Sequence, residues 1–148
     1  MRGEFLVSEG VFLGFDFGYK RIGVAVGQSI TAKAQPLKPL QAQQGIPRWT
    51  EVKQLIEEWN PQALVVGIPS CIDDKPLYTT DAAHRFANQL SDMFSLPIYR
   101  VDERLTTIEA RSKLFNQGGY KKLQTVSVDS IAACLILEQW LQYPEDTL

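Results

Sequence analysis

Apolar and small residues alternate with others along residues 11–17 and again along 20–27, with Gly18 between the two runs. Val11, Leu13 and Phe15 mark the first run, and Ile22, Val24 and Val26 the second. The pattern predicts two short strands joined by a tight turn at a residue that tolerates positive φ. Residues 30–40 continue as a third extended segment, whose end Pro36 and Pro39 confine to an edge or a turn. Residues 1–10 are a weakly patterned lead-in, and Gln41 to Pro47 reads as a polar loop.

The period then becomes helical. Val52, Leu55, Ile56 and Trp59 recur at helical spacing in a helix from Arg48 to Trp59, which Asn60-Pro61 stops. Ala63 to Ile68 is a continuous apolar run, the mark of a strand covered on both faces. A polar loop, Pro69 to Pro76, leads to a helix over Thr79 to Phe94, whose stripe of Ala83, Phe86, Ala87, Leu90, Met93 and Phe94 is core packing. Pro97 to Val101 is a fifth strand. Thr106 and Glu109 have capping-box spacing and open a helix ending near Asn116, with Gly118-Gly119 as its stop. A glycine-hinged loop, Gly118 to Thr125, precedes the last helix, Val128 to Gln142, capped by Ser127.

Three antiparallel strands followed by alternating helices and strands predict an α/β sandwich in the order β-β-β-α-β-α-β-α-α. Its mixed sheet has five strands, the later ones parallel to the first because helical crossovers reach them. The 148 residues suit a single domain, 1–148, with its core at about 11–142.

A formal net charge of −2 argues against a protein that coats nucleic acid by charge alone, but leaves room for a local basic rim around an acidic centre. Cys71, in a loop, and Cys134, on an apolar helix, lack metal spacing, so neither a disulfide framework nor a zinc site is expected. His84 takes a polar position on its helix and reads as a surface histidine. No apolar run reaches the length of a membrane span and the N-terminus lacks a secretory pattern, so a cytoplasmic protein away from membranes is expected.

Three acidic residues stand in surroundings wrong for a solvated charge. Asp16 interrupts the apolar first strand; Glu103 follows the end of the fifth. Asp129 shares a helix face with Ala132, Ala133, Ile136 and Trp140, at +3, +4, +7 and +11. Burying a lone carboxylate costs several kcal/mol unless it is compensated. Ligands of such sheets sit beyond the carboxyl ends of the strands, where Asp16 and Glu103 both lie. Three converging carboxylates need a cation between them, and oxygen ligands without His or Cys suit Mg2+ or Mn2+. Two such ions can activate water and stabilise the leaving oxygen of a phosphodiester. Each residue also has a plainer reading. Asp16 could bond turn amides, Glu103 could pair with Arg100 or Arg104, and Asp129 could serve the helix dipole. Asp102 rivals Glu103, but neighbouring strand residues point to opposite faces, so only one of them can face the site easily.

Phe15-Asp16-Phe17-Gly18, Arg21-Ile22-Gly23-Val24-Ala25, Val66-Gly67-Ile68-Pro69, Asp102-Glu103-Arg104-Leu105-Thr106-Thr107, Glu109-Ala110-Arg111, Gln117-Gly118-Gly119-Tyr120 and Val128-Asp129-Ser130 together resemble the motifs of the YqgF/RuvX family, over about residues 11–142. Its members are described as Holliday junction resolvases and as nucleases for the 5′ end of pre-16S rRNA. The resemblance implies a ribonuclease-H-like three-layer fold with helices on both faces of the sheet. It also implies that Asp16, Glu103 and Asp129 are the catalytic, metal-holding acids. Two departures stand out. The stretch Ser70-Cys71-Ile72-Asp73-Asp74 differs from the family's Asn and Asp-Gly pattern, and Val126 and Ser127 stand where members carry a lysine before Val-Asp. Lys121 or Lys122 would have to replace that lysine.

Phosphate contacts are expected from Lys20, Arg21, Arg104, Arg111, Lys121 and Lys122, with Tyr120 stacking on a base. For any single one of these, a solvated surface charge is the ordinary alternative. The expected function is Mg2+-dependent (or Mn2+-dependent) hydrolysis of phosphodiester bonds in structured nucleic acid. The expected partner is pre-16S rRNA or a ribosomal particle, with branched DNA and junction resolution second. A resolvase would be a dimer, while a monomer is equally compatible with the sequence. A non-catalytic nucleic-acid-binding module and an actin-like nucleotide-binding domain are the rivals from other classes.

Overall fold

The computed structural model describes residues 10–69, 77–103 and 128–148. The strands are β1 (Val11–Asp16), β2 (Arg21–Gln28), β3 (Lys33–Gln43), β4 (Ile46–Pro47), β5 (Ala63–Ile68) and β6 (Ile98–Asp102). The helices are α1 (Trp49–Trp59), α2 (Leu77–Phe94) and α3 (Val128–Gln142), followed by a 3-10 turn at Pro144–Asp146. One sheet takes the order β4-β3-β2-β1-β5-β6. The first three strands and β4 pair antiparallel, and β1, β5 and β6 run parallel, as helical crossovers require.

The sheet thus has six strands where the sequence pattern predicts five. The stretch read as a polar loop extends β3 to Gln43 and then folds back as β4, with Gln43 opposite Ile46. Gln44 (φ 52) and Gly45 (φ 83) both take the left-handed conformation that a two-residue hairpin turn of type I′ demands. Glutamine does not advertise that conformation, so the turn is not visible in composition. At its other end β3 starts at Lys33 rather than residue 30. Ala32 (φ 54) donates its N–H to the Gln28 carbonyl and closes a turn after β2. The prolines behave as expected of an edge. Ile22 faces Leu40 and Val24 faces Leu37, so Lys38 and Pro39 together oppose Gly23 in a bulge.

Strand alternation sorts the side chains into two layers. Leu13, Phe15, Ile22, Val24, Leu64 and Val66 pack with Val52 of α1 and Phe86 and Leu90 of α2. Phe15 and Phe17 meet the Phe86 ring at 5.7 and 5.8 Å. On the other face, Phe12, Ala25, Val65 and Val101 lie beneath Ala133, Ile136, Leu137 and Trp140 of α3. Helices therefore cover both faces, the three-layer arrangement expected. Cys134 is buried in this second layer, a small hydrophobe as its position on the helix implies. Asn60 ends α1 in the left-handed conformation with its N–H on the Ile56 carbonyl, and Pro61 follows it.

His84 is not the surface residue its helical position suggests. It is partly buried where α2 packs on β6: Arg100 Nη1 donates to its Nδ1 at 2.6 Å and Arg100 Nη2 donates to Asn88 Oδ1 at 2.5 Å. Desolvation, and then the Arg100 charge, hold the imidazole pKa below its usual range against the opposing pull of Asp81. α2 begins at Leu77, two residues before the expected Thr79. Cys71, the helix expected from Thr106, the 118–125 loop and the Ser127 cap lie outside the described residues. No helix among the described residues is long and apolar enough to cross a membrane.

Candidate active site

The acids are organised by a row across the sheet. Asp16, the last residue of β1, has Gly23 of β2 as its antiparallel partner and Gly67 of β5 as its parallel partner. By alternation all three belong to the face covered by α3, together with Phe12, Ala25 and Val65. Neither glycine can be replaced without a collision. A Cβ on Gly23 would lie 1.9 Å from the Asp129 carbonyl oxygen, so the first turn of α3 rests directly on the β2 backbone. A Cβ on Gly67 would lie 2.4 Å from Ile136 Cδ1 and 3.4 Å from Glu103 Cγ. Asp129 therefore stands over one neighbour of Asp16, and Glu103 leans over the other.

The choice between Asp102 and Glu103 follows from the same geometry. Asp102 pairs with Ile68, whose side chain belongs to the α1–α2 layer, whereas Glu103 adjoins Gly67 and is only 8% exposed. Arg100, one of the two cations that could have paired with Glu103, bonds instead to His84 and Asn88 of α2. Asp129 is more open. Arg21 Nε donates to its Oδ2 at 3.1 Å, in a pair whose side chains are 54% and 37% exposed. Such a pair adds little stability, about 0–1 kcal/mol. Its effect is to fix where the Asp129 carboxylate stands.

The first turn of α3 is pinned by a residue that carries no charge. Ser130 is fully buried; its hydroxyl accepts the Val24 N–H at 3.2 Å and donates to the Leu37 carbonyl at 2.6 Å. Val24 and Leu37 are register partners just beyond the bulge, and the hydroxyl bridges them. Ser130 thus ties Asp129 to the sheet at the point where the ladder is irregular.

Comparison with known proteins gives these residues a context. The profile of the RuvX family, described as Holliday junction resolvase, matches residues 10–143. The chain belongs to the RuvX family. A protein of Legionella pneumophila (strain Lens) named "Putative pre-16S rRNA nuclease" is 63% identical over 139 residues, 94% of this chain and 100% of that protein. One of the same name from Actinobacillus pleuropneumoniae serotype 5b is 50% identical over 130 residues, 88% and 95% of the two chains. Among solved structures, Thermus thermophilus RuvC in complex with a Holliday junction substrate superposes with a TM-score of 0.63 at 15% identity, covering 94% of this chain and 99% of that one. The fowlpox virus Holliday junction resolvase gives a TM-score of 0.56 at 11% identity, over 89% and 98%. At such identities the likeness concerns the fold, which is the ribonuclease-H-like one expected. The expectation of a phosphodiester hydrolase agrees with the nuclease names of the family.

For this RuvX-family chain the donor chemistry suits a hard divalent cation: the acids on this face offer carboxylate oxygens. Among the described residues, however, no group of three acidic, His or Cys side chains is drawn close enough to hold a metal ion. The shared face and the shared row are present, while Asp129 is turned to Arg21. Lys20 and Arg21 are exposed in the turn after Asp16 and at the start of β2. Arg104, Arg111, Tyr120, Lys121 and Lys122 lie outside the described residues, as do residues 70–74 and 126–127. Gly23, Gly67 and Ser130 stand in the motifs that carry the family resemblance, but sequence reasoning assigns them no role. The alternation of Gly23, Ala25 and Gly27 with large apolar residues is the signal for a helix seat on β2.

Proposed function

We propose that this chain is a metal-dependent nuclease that hydrolyses phosphodiester bonds in structured nucleic acid, with the 5′ end of pre-16S rRNA as its substrate. The observation that carries the reading is the row Gly23–Asp16–Gly67, with Asp129 over one end and Glu103 over the other. The two glycines let the first turn of α3 and Glu103 come down on either side of Asp16, closer than a side chain at either position would allow. The names of relatives at 50–63% identity favour the ribosomal substrate. The description of the family favours a four-way DNA junction as the second.

Asp16 and Glu103, which border the same glycine, would hold Mg2+ or Mn2+, with Asp129 joining them. Bound there, the ion would supply Lewis-acid polarisation of the scissile phosphodiester. The chain's own residues set the geometry. Burial holds Glu103 in place, and the Ser130 bridge fixes the height of Asp129 above the sheet. A guanidinium has five donors, so Arg21 can take a backbone phosphate while its Nε keeps Asp129. Lys20 supplies a second charge beside it. Work on a ribosomal precursor would place the protein in the cytoplasm.

The test offers a 5′-extended 16S rRNA precursor and a four-way DNA junction side by side, with magnesium. Wild-type protein should cleave the precursor, and Asp16→Asn should lose at least 1,000-fold in rate while its melting temperature is kept. Cleavage of the junction alone would transfer the role to resolution. Binding without cleavage of either substrate would make the chain a non-catalytic nucleic-acid-binding module.

A further inference from the structure

The acid face of the sheet does not end at the carboxylate row. α3 begins at Val128 and covers β2 from Gly23 onward. Beyond it the same face continues through Arg21 to its cross-strand partner Gln41, then to Gln43, which pairs with Ile46 of β4. Leu40 and Ala42, the alternate residues of β3, point into the opposite layer. Gln41, Gln43, Gln44, Ile46 and Arg48 are all exposed, Ile46 at 58%. With Pro47 and Ala42 they line an open groove of about 840 Å³.

This projection is firmly held. The Ala42 N–H donates to the Lys20 carbonyl and the Gly45 N–H to the Tyr19 carbonyl, both at 2.9 Å. The hairpin is therefore strapped to the turn that follows Asp16. Its tip holds Gln44 in the left-handed conformation, which disfavours residues that carry a side chain. A surface of amides and one guanidinium set around the exposed Ile46, continuous with Arg21, has the chemistry of a nucleic-acid groove. Amides offer donors and acceptors to sugars and base edges, and arginine binds phosphate. Three inter-strand spacings, about 14 Å, separate β1 from β4. That span takes about four nucleotides of a stacked strand at a rise of ~3.4 Å each.

We infer that the strip formed by Gln41, Gln43 and Arg48, adjoining Arg21, is a track that guides a single nucleic-acid strand to the carboxylate row. The inference rests on the nuclease reading and adds three residues that neither charge pattern nor motif singles out. Arg48 meets phosphate, and the two glutamines meet sugar or base.

The experiment measures anisotropy of a fluorescein-labelled 20-nucleotide RNA on the full chain, with Ca2+ in place of Mg2+ to slow cleavage. Arg48→Ala should weaken binding 3- to 10-fold and reduce the slope of log K against log salt by about 0.7, the share of one phosphate on a single strand. Gln41→Ala with Gln43→Ala should weaken binding at least 3-fold and leave the slope unchanged. Lys53→Ala, exposed on α1, is the control and should bind as wild type. Affinities within 1.5-fold of wild type in both track variants, with Arg21→Ala impaired, would overturn the track and leave the nuclease reading standing. A protein surface in place of a nucleic-acid track would give that same result. A wild-type chain that does not bind the RNA at all would overturn both.

Discussion

The two faces of the sheet are built on opposite principles. Under α1 and α2 the layer is thick: Phe15, Phe17, Phe86 and Trp49 interlock with aliphatic side chains, and ring centroids stand 5.7–5.9 Å apart. Under α3 the layer is thin. Gly14, Gly23, Gly27 and Gly67 leave the sheet backbone bare, and the helix settles onto it. The thick face obtains stability from area; burying one large apolar side chain there is worth about 1.5–3 kcal/mol. The thin face gives up that area and obtains position instead. The N-terminal turn of α3, carrying Asp129, meets the strand end carrying Asp16 with only a glycine between them. In one small fold, stability and placement of the acids are carried by different layers.

That division can be broken from either side. The largest effect is expected at Gly23. Its replacement by alanine puts a methyl group 1.9 Å from the Asp129 carbonyl, so α3 must lift. Cleavage of the precursor should fall about 100-fold, as misplacement of a site by about 1 Å does, and stability should fall by about 1–3 kcal/mol through overpacking. Phe86→Ala, on the thick face, should do the reverse: about 3–5 kcal/mol lost in denaturant unfolding, with cleavage per folded molecule within 3-fold of wild type. If Gly23→Ala and Phe86→Ala lowered activity and stability in the same proportion, the faces would not be separable. The smallest effect concerns His84. Its folded pKa is depressed from 6.5, so the unfolded chain binds its proton more readily. The stability this confers is full above about pH 6.5 and is lost as pH falls through the folded value. Melting temperature should therefore drop between pH 7.5 and 5.5, and drop less in His84→Gln.

The placement of Asp16 and Asp129 toward one sheet face was legible because charge interrupts apolar patterns: Asp16 in a strand, Asp129 on a helix face shared with apolar residues. The order of elements was legible from the change of hydrophobic period, and the parallel strands from their crossovers. What stayed hidden depends on register. Nothing local says that Gly23 and Gly67 flank Asp16, because they come from strands 44 residues apart in number. The fourth strand was hidden because it has two residues and its turn begins with Gln44, a residue with no turn preference. His84 was misread because a helical wheel does not show what the neighbouring strand brings, here Arg100.

In the proposed reading Asp16 and Glu103, joined across Gly67, form one cation site. Titration of Mn2+ followed by the loss of its free-ion electron paramagnetic resonance signal tests this without any substrate. Wild-type protein should bind Mn2+, and Asp16→Asn and Glu103→Gln should each weaken that binding at least 10-fold with their melting temperatures preserved. Equal Mn2+ affinity in wild type and both variants would contradict the account, and the row of carboxylates would then hold no metal.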